Sequence, residues 1–278
     1  MKKFLKAMAI TGGVLCVAKG FDNRIEVTDY KITSKKIGKS FDGYKIVQIS
    51  DYHADTVPGL VEEIKSLKPN IIVSTGDLVH DMGSYKPGVR LMERLIKIAP
   101  VYCVTGNHDL LRSDYKHMED ELDALGVRTL HNESVLLTSG EDEEIRLIGI
   151  DDPFSVEKSN IEEHIENAIA AIPQYNGYNI LLFHRANHMD LLSHRGFDLI
   201  LAGHMHGGQF RLPWGTGVCA PRSSWGSNSK ALFPKYFAGL YRDGNTQMVV
   251  NRGLGNPMII PRLFNRPEIT VIELGSQK

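Results

Sequence analysis

Short uninterrupted apolar runs alternate with amphipathic stretches through the first half of the chain. Residues 45–50, 71–75 and 101–105 are such runs, the pattern of strands covered on both faces. Between the first two, residues 58–67 carry Leu60, Ile64 and Leu67 on one helical face, with Pro58 near the start and Pro69 closing the stretch. A second helix is expected over about residues 87–98. This β-α-β-α-β order predicts parallel strands joined by helical crossovers. Ahead of it, residues 24–32 alternate (Ile25, Val27, then Tyr30, Ile32) and read as an edge strand.

The pattern changes after a helix expected over residues 113–125 and ended by Gly126. Residues 134–138 and 144–150 form a predicted hairpin about the acidic Gly140-Glu141-Asp142-Glu143 turn. A helix over 160–172 stops at Pro173, a buried strand follows at 178–183, a short helix at 187–193 and another strand at 198–202. Residues 236–241 and 246–252 flank Arg242-Asp243-Gly244-Asn245, a hairpin turn, and residues 268–274 make a last strand. With no linker, repeat or low-complexity block, one α/β domain with two sheets is the economical architecture.

Composition narrows the function. Of 278 residues, 42% are hydrophobic, enough for a sizeable core. A formal net charge of −1 argues against a general nucleic-acid binder, so no nucleic-acid partner is expected. Cys16, Cys103 and Cys219 show neither metal spacing nor a disulfide framework. At the N-terminus, basic Met1-Lys2-Lys3 precedes an uncharged run over residues 7–18 that ends at Lys19. That run is shorter than the roughly 20 apolar residues a membrane-spanning helix needs, and suits a signal-peptide core or short membrane anchor. Cys16-Val17-Ala18 is a tolerable cleavage site, and Leu15 before Cys16 argues against a lipoprotein signal. Lys2, Lys3 and Lys6 would keep the N-terminus cytoplasmic and place the domain outside. The plainer alternative is an N-terminal helix packed on a cytoplasmic domain.

The chemistry gathers where the apolar runs end. Asp51-Tyr52-His53, Gly76-Asp77, Gly106-Asn107-His108-Asp109, His184 and Gly203-His204-Met205-His206 each follow a predicted strand. Any one of them reads as an ordinary turn. Together, Asp51, His53, Asp77, Asn107, His184, His204 and His206 offer more nitrogen and oxygen donors than one tetrahedral ion takes. They fit two ions sharing Asp77. The Asp-x-His and His-x-His pairs are expected to aim two side chains to one side of an extended backbone. Imidazole and carboxylate without thiolate suit two divalent transition ions: Mn, Fe, Zn, Co or Ni.

Taken in order over residues 47–206, these motifs resemble the calcineurin-like metallophosphoesterase superfamily. The resemblance implies a double β-sandwich flanked by helices over residues 21–278, behind the anchor-like residues 1–20. It implies that Asp51, His53 and His206 hold one ion and that Asn107, His184 and His204 hold the other. Asp77 would bridge the pair and His108 would be catalytic. The protein Ser/Thr phosphatase branch departs, because Gly76-Asp77-Leu78-Val79-His80-Asp81-Met82 lacks its second-motif continuation. The later segments are similar to bacterial membrane-associated phosphoesterases grouped with UDP-2,3-diacylglucosamine pyrophosphatases. The matching pieces are Gly207-Gly208-Gln209-Phe210-Arg211-Leu212-Pro213, Gly239-Leu240-Tyr241, Arg252-Gly253-Leu254-Gly255 and Arg262 with Arg266-Pro267-Glu268. One departure is Arg185-Ala186-Asn187 after His184, where a Pro is common.

The expected activity is hydrolysis of a phosphodiester or pyrophosphate, with an apolar or lipid-linked substrate. His108 would protonate the leaving oxygen, and Asp109 would fix the His108 tautomer. Arg211 and Arg252 are candidate bidentate phosphate contacts, or else ion-paired surface groups. Trp214, Trp225 and Phe233 would line an apolar groove or pin down a long loop. His80, His117, His131, His164, His188 and His194 are expected on surfaces or helices, with His80 nearest the motifs in sequence. The competing functions are a nucleotide or nucleic-acid phosphodiesterase with the same metals, and a non-catalytic scaffold. The intact donor set weighs against the scaffold.

Overall fold

The computed structural model describes residues 20–140, 143–154, 156–157, 160–224, 230–256 and 261–277. The N-terminal run over residues 7–18, Trp225 and part of the acidic turn lie outside them. Two six-stranded sheets pack face to face. The first contains β1 (Glu26–Ser34), β2 (Lys45–Ile49), β3 (Ile71–Ser74), β4 (Val101–Cys103), β5 (Arg128–Thr129) and β12 (Glu268–Ser276). Its order is β1-β12-β2-β3-β4-β5, so β1 is the expected edge strand. β2, β3 and β4 run parallel, as their helical crossovers require. β12 is antiparallel to β2, which makes the sheet mixed.

The second sheet contains β6 (Glu133–Ser139), β7 (Glu143–Gly149), β8 (Tyr178–Arg185), β9 (Leu199–Gly203), β10 (Gly239–Asp243) and β11 (Thr246–Val250). Its order is β10-β11-β9-β8-β7-β6. The expected hairpins pair antiparallel at β6–β7 and β10–β11, while β7, β8, β9 and β11 run parallel.

Side-chain alternation explains why the strands read as unbroken apolar runs. In β8, Ile180 and Leu182 enter the core between the sheets, while Leu181 and Phe183 face the outer layer. Both faces are therefore dry. On the first sheet's outer side lie α1 (Leu60–Leu67), α2 (Lys86–Leu95), a short helix α3 (Asn107–Leu110) and α4 (Tyr115–Ala124). Leu60 and Ile64 of α1, Met92 and Leu95 of α2, and Met118 and Leu122 of α4 bury against Val47, Ile49 and Ile72. The three- and four-residue spacings put each pair on one helical face. α5 (Ile161–Ala171) and α6 (Met189–Leu192) cover the second sheet in the same way. The result is four layers, α-β-β-α.

Pro58 lies outside α1, because Gly59 takes a left-handed conformation (φ 77°) and the helix starts at Leu60. Among the described residues no helix is long and apolar enough to cross a membrane.

Candidate metal centre

The sheets deliver their polar strand ends to one place. β2, β3 and β4 run into the Asp51, Asp77 and Asn107 loops, while β8 carries His184 and β9 runs into His204 and His206. The ends of parallel strands are where open α/β sheets usually hold ligands. Asp51, His53, Asp77 and His206 bring one donor atom each within 4.8 Å of one another, and Asp77, His184 and His204 do the same. Asp77 belongs to both groups. Its Oδ2 lies 3.3 Å from His184 Nε2 and 3.8 Å from His53 Nε2, while Oδ1 accepts the His108 backbone N–H at 2.8 Å. Asp51 accepts the His204 N–H and stands 3.4 Å from His206 Nε2.

The convergence does not come from strand alternation, which corrects the expectation for Asp-x-His and His-x-His. Asp51, His53, Asp77, His204 and His206 all have φ between 47° and 70°, a left-handed backbone costly for side chains with a Cβ. Such strain persists where the surroundings over-determine it, and it concentrates at functional sites. Turns rather than extended backbone aim these residues, and the His-x-His pair splits between the two groups. His184 is aimed by an irregularity in the β8–β9 pairing between Leu182 and Arg185.

Two glycines let the loops close up. Gly76 has φ 93°, and a Cβ there would meet His184 Nδ1 at 2.7 Å and the Gly106 Cα at 2.8 Å. A Cβ on Gly106 would run into the Asp77 carboxylate. Each glycine of Gly-Asp and Gly-Asn-His-Asp is thus a requirement of close approach.

The donor set fits cations. His53 Nε2 and His206 Nε2 face each other at 3.3 Å, and His204 Nδ1 lies 3.1 Å from His184 Nε2. Asn107 is buried, and its Oδ1 has no hydrogen-bond partner among the described residues. A buried acceptor left unpaired is costly unless something absent from the polypeptide meets it. His184 Nδ1 pairs with the Thr75 carbonyl at 2.7 Å, which leaves Nε2 for the centre.

The electrostatics agree at three of the four imidazoles, and His184 differs because the Asp77 and Asp51 charges face it. Burial holds His53 down at about 3 and pushes His204 and His206 well below the usual imidazole value. Neutral imidazole is the ligating form. Burial disfavours charge on His184 too, but Asp77 and Asp51 overcome it and raise it to about 10. Burial and the Asp77 charge raise Asp51, whereas His184 and His53 overcome burial to keep Asp77 well below the usual carboxylate range.

His108 sits on α3, partly exposed, with its ring edge-on to His53 at 5.0 Å. Its Nδ1 lies 3.3 Å from Asp81 Oδ1. Asp109, expected to orient His108, points elsewhere. Its carboxylate accepts the Val79 and Gly106 N–H groups at 3.1 and 2.9 Å, because consecutive helical residues diverge. Burial raises Asp109 to about 7. Asp109 is a loop clamp, and Asp81 is the carboxylate beside His108.

For Arg252 the ion-pair alternative is the one seen: it is 5% exposed and its Nη2 lies 3.2 Å from the buried Glu268 and from Glu26, which is partly exposed. Arg211 is half-buried, with Nε on the Gly215 carbonyl and its guanidinium over Phe237. Arg262 also feels the Asp51 charge, a place beside the centre that its sequence motif does not reveal. It is buried and donates to the carbonyls of Arg252 and Gly255, fixing a loop whose Gly255 N–H bonds the Asp51 carbonyl at 2.8 Å. Trp214 and Phe233 are 75% and 56% exposed, and the Phe233 backbone N–H bonds the Val218 carbonyl at 2.8 Å. His188 lies on the short helical turn over residues 186–188, where it is buried, and the His80 ring packs 5.9 Å from His53.

A four-layer sandwich with a buried His/Asp cluster at its strand ends defines a metal-dependent hydrolase of phosphoric esters. A sequence profile of the calcineurin-like phosphoesterases matches residues 44–208, and the chain belongs to that family. It is 28% identical to the uncharacterised metallophosphoesterase YkuE of Bacillus subtilis, over 99% of this chain and 97% of that protein. It is 27% identical to the phosphodiesterase YaeI of Escherichia coli, over 83% of this chain and 82% of the other. A bovine transmembrane protein with a metallophosphoesterase domain is 29% identical over 89% of this chain and 56% of its own length. The solved structure of TT1561 from Thermus thermophilus covers 76% of this chain and 90% of its own, at 13% identity and a TM-score of 0.48.

Proposed function

We propose that the protein is a dinuclear phosphodiesterase or pyrophosphatase. In this reading Asp51, His53 and His206 hold one divalent ion, Asn107, His184 and His204 hold a second, and Asp77 serves both. The observation that carries it is the Asp77 carboxylate, common to both donor groups. When bound, such ions acidify water and neutralise charge on phosphoryl oxygens. His108, at the partly exposed edge of the cluster, donates a proton to the leaving oxygen. The loops fixed by Asp109 and Arg262 hold the donors in place before substrate arrives.

The substrate we favour is a diester or pyrophosphate bearing an apolar or lipid group, of the UDP-2,3-diacylglucosamine kind. Similarity to a named phosphodiesterase and the matching segments around residues 207–213 and 252–255 support this. A cavity of about 610 Å³ reaches Arg262, and its lining mixes Ile25, Val57 and Leu254 with the charged Arg24, Asp55 and Glu63. None of the ligand residues line it, and Arg262 stands between it and Asp51.

The test is chelation followed by re-addition of Mn²⁺, assayed on a bis-aryl phosphate, an aryl monoester, a nucleotide-sugar lipid and DNA. Loss on chelation, recovery with metal and preference for the diester or lipid pyrophosphate are expected. Full activity in metal-free protein removes the two-ion reading, and faster turnover of the monoester than of every diester removes the substrate reading.

A further inference from the structure

A second group of donors lies at the lip of the centre, outside the seven residues above. His80, Asp81 and His108 bring one donor atom each within 4.8 Å of one another. Asp81 Oδ1 faces both imidazoles, in contact with His80 Nδ1 and 3.3 Å from His108 Nδ1. The two rings tilt together at 5.0 Å. We propose that these three side chains form a third divalent-cation site, distinct from the dinuclear centre and sharing His108 with its catalytic edge.

The Met82 backbone N–H lies 3.3 Å from His80 Nδ1, which helps to hold this imidazole beside the Asp81 carboxylate. Among the described residues, the ion-pair partners of Asp81 are these two imidazoles, with no Lys or Arg to neutralise it. The loop is also built rather than loose. Arg112, itself buried, donates to the His80 carbonyl at 2.6 Å and the Gly83 carbonyl at 3.0 Å, and pairs with Asp114. That clamp holds the donors in register before any ion arrives.

Two imidazole nitrogens and one carboxylate oxygen suit a first-row transition ion better than Mg²⁺ or Ca²⁺, which prefer all-oxygen sets. The side chains are 25–32% exposed, so an ion there keeps open positions for water or an outer phosphoryl oxygen. With three protein ligands and solvent access, this ion is held less tightly than the buried pair.

Metal-free full-length protein titrated with Mn²⁺, with free ion counted by electron paramagnetic resonance, should show a weaker equivalent after the tight ones. His80→Gln and Asp81→Asn each alter a ligand and should weaken that equivalent by at least the roughly 10–100-fold that losing an outer-shell partner costs, leaving the tight ones and the thermal melt unchanged. Anomalous diffraction from Mn²⁺-grown crystals should place a peak among the three side chains, a readout independent of either variant folding. No weaker equivalent in the parent chain, its survival in both variants, or no anomalous peak overturns the site. So does an altered pH profile in Asp81→Asn with an unchanged ion count, which makes Asp81 a positioning residue for His108.

Discussion

At the scale of single residues, His108 and Asp77 divide the labour, and substitution separates them. His108 meets Asp77 through its backbone N–H, at 2.8 Å, and its ring lies outside the two buried donor groups. His108→Ala should therefore keep the two tightly held ions while turnover falls by about 10²–10⁴-fold, the usual share of general acid catalysis. A substrate with a very acidic leaving group needs no proton and should lose much less. Asp77→Ala should lose metal and activity together. Metal analysis beside kinetics on an alkyl and a nitrophenyl diester decides: if His108→Ala strips the tight ions, it is a ligand, and if it cleaves the alkyl diester normally, it is no acid. The seven proposed ligands were legible in the sequence because each sits in a short motif after an apolar strand. The settings of Asp81, Arg252 and Arg262 were not, because they depend on distant partners. Arg252 looks like a free cation until β1 and β12 bring Glu26 and Glu268 against it.

At the scale of elements, the loops behind the centre are tied by polar contacts that pH and mutation can probe. His131, just before β6, lies between Asp151 at 2.9 Å and Glu119 of α4 at 2.5 Å. Hydrogen bonding to Asp151, opposed by partial burial, raises it from 6.5 to about 9. The folded chain thus favours protonated His131. The resulting stability is complete below about pH 6.5 and vanishes as pH rises through about 9. The melting-temperature gap between the parent chain and His131→Gln should narrow between about pH 6 and about pH 10; a gap that stays constant refutes the linkage. Close by, Asp152 in the loop after β7 pairs with Arg185 of β8 at 2.7 Å, both buried and next to His184. Asp152→Ala removes one partner of the buried Arg185 guanidinium and should cost about 1.5–3 kcal/mol in denaturant unfolding. A loss below about 0.5 kcal/mol would mean that the other contacts of Arg185 hold it without Asp152. The strands themselves were readable because both faces are dry. Two-residue β5 is too short to leave a pattern, and the described residues between β9 and β10 hold isolated bridges at Phe210, Arg211 and Cys219 and short helical turns instead of a long periodic element.

At the scale of the whole molecule, the N-terminal segment and the cavity beside the centre belong to one question. The Gly20 carbonyl accepts the Phe264 N–H at 2.6 Å, and Asn23, Arg24 and Ile25 then line the 610 Å³ cavity. Residues 7–18 are uncharged behind three lysines, the composition of a membrane anchor or export signal. If that segment holds the chain at a bilayer, only a few residues separate the lipid surface from the cavity, and a lipid-linked substrate need not leave the membrane fully to reach it. Full-length protein should then sediment with membranes, and removal of residues 1–19, which keeps the Gly20 contact, should release active enzyme. Both forms should hydrolyse a soluble bis-aryl phosphate at similar rates, because no proposed ligand lies in the deleted segment. On a lipid pyrophosphate embedded in vesicles the full-length chain should be faster, since anchoring raises the local substrate concentration. A wholly soluble full-length chain refutes the anchor. Equal rates on vesicles, with membrane association intact, would leave the segment as a tether and separate the cavity from lipid delivery.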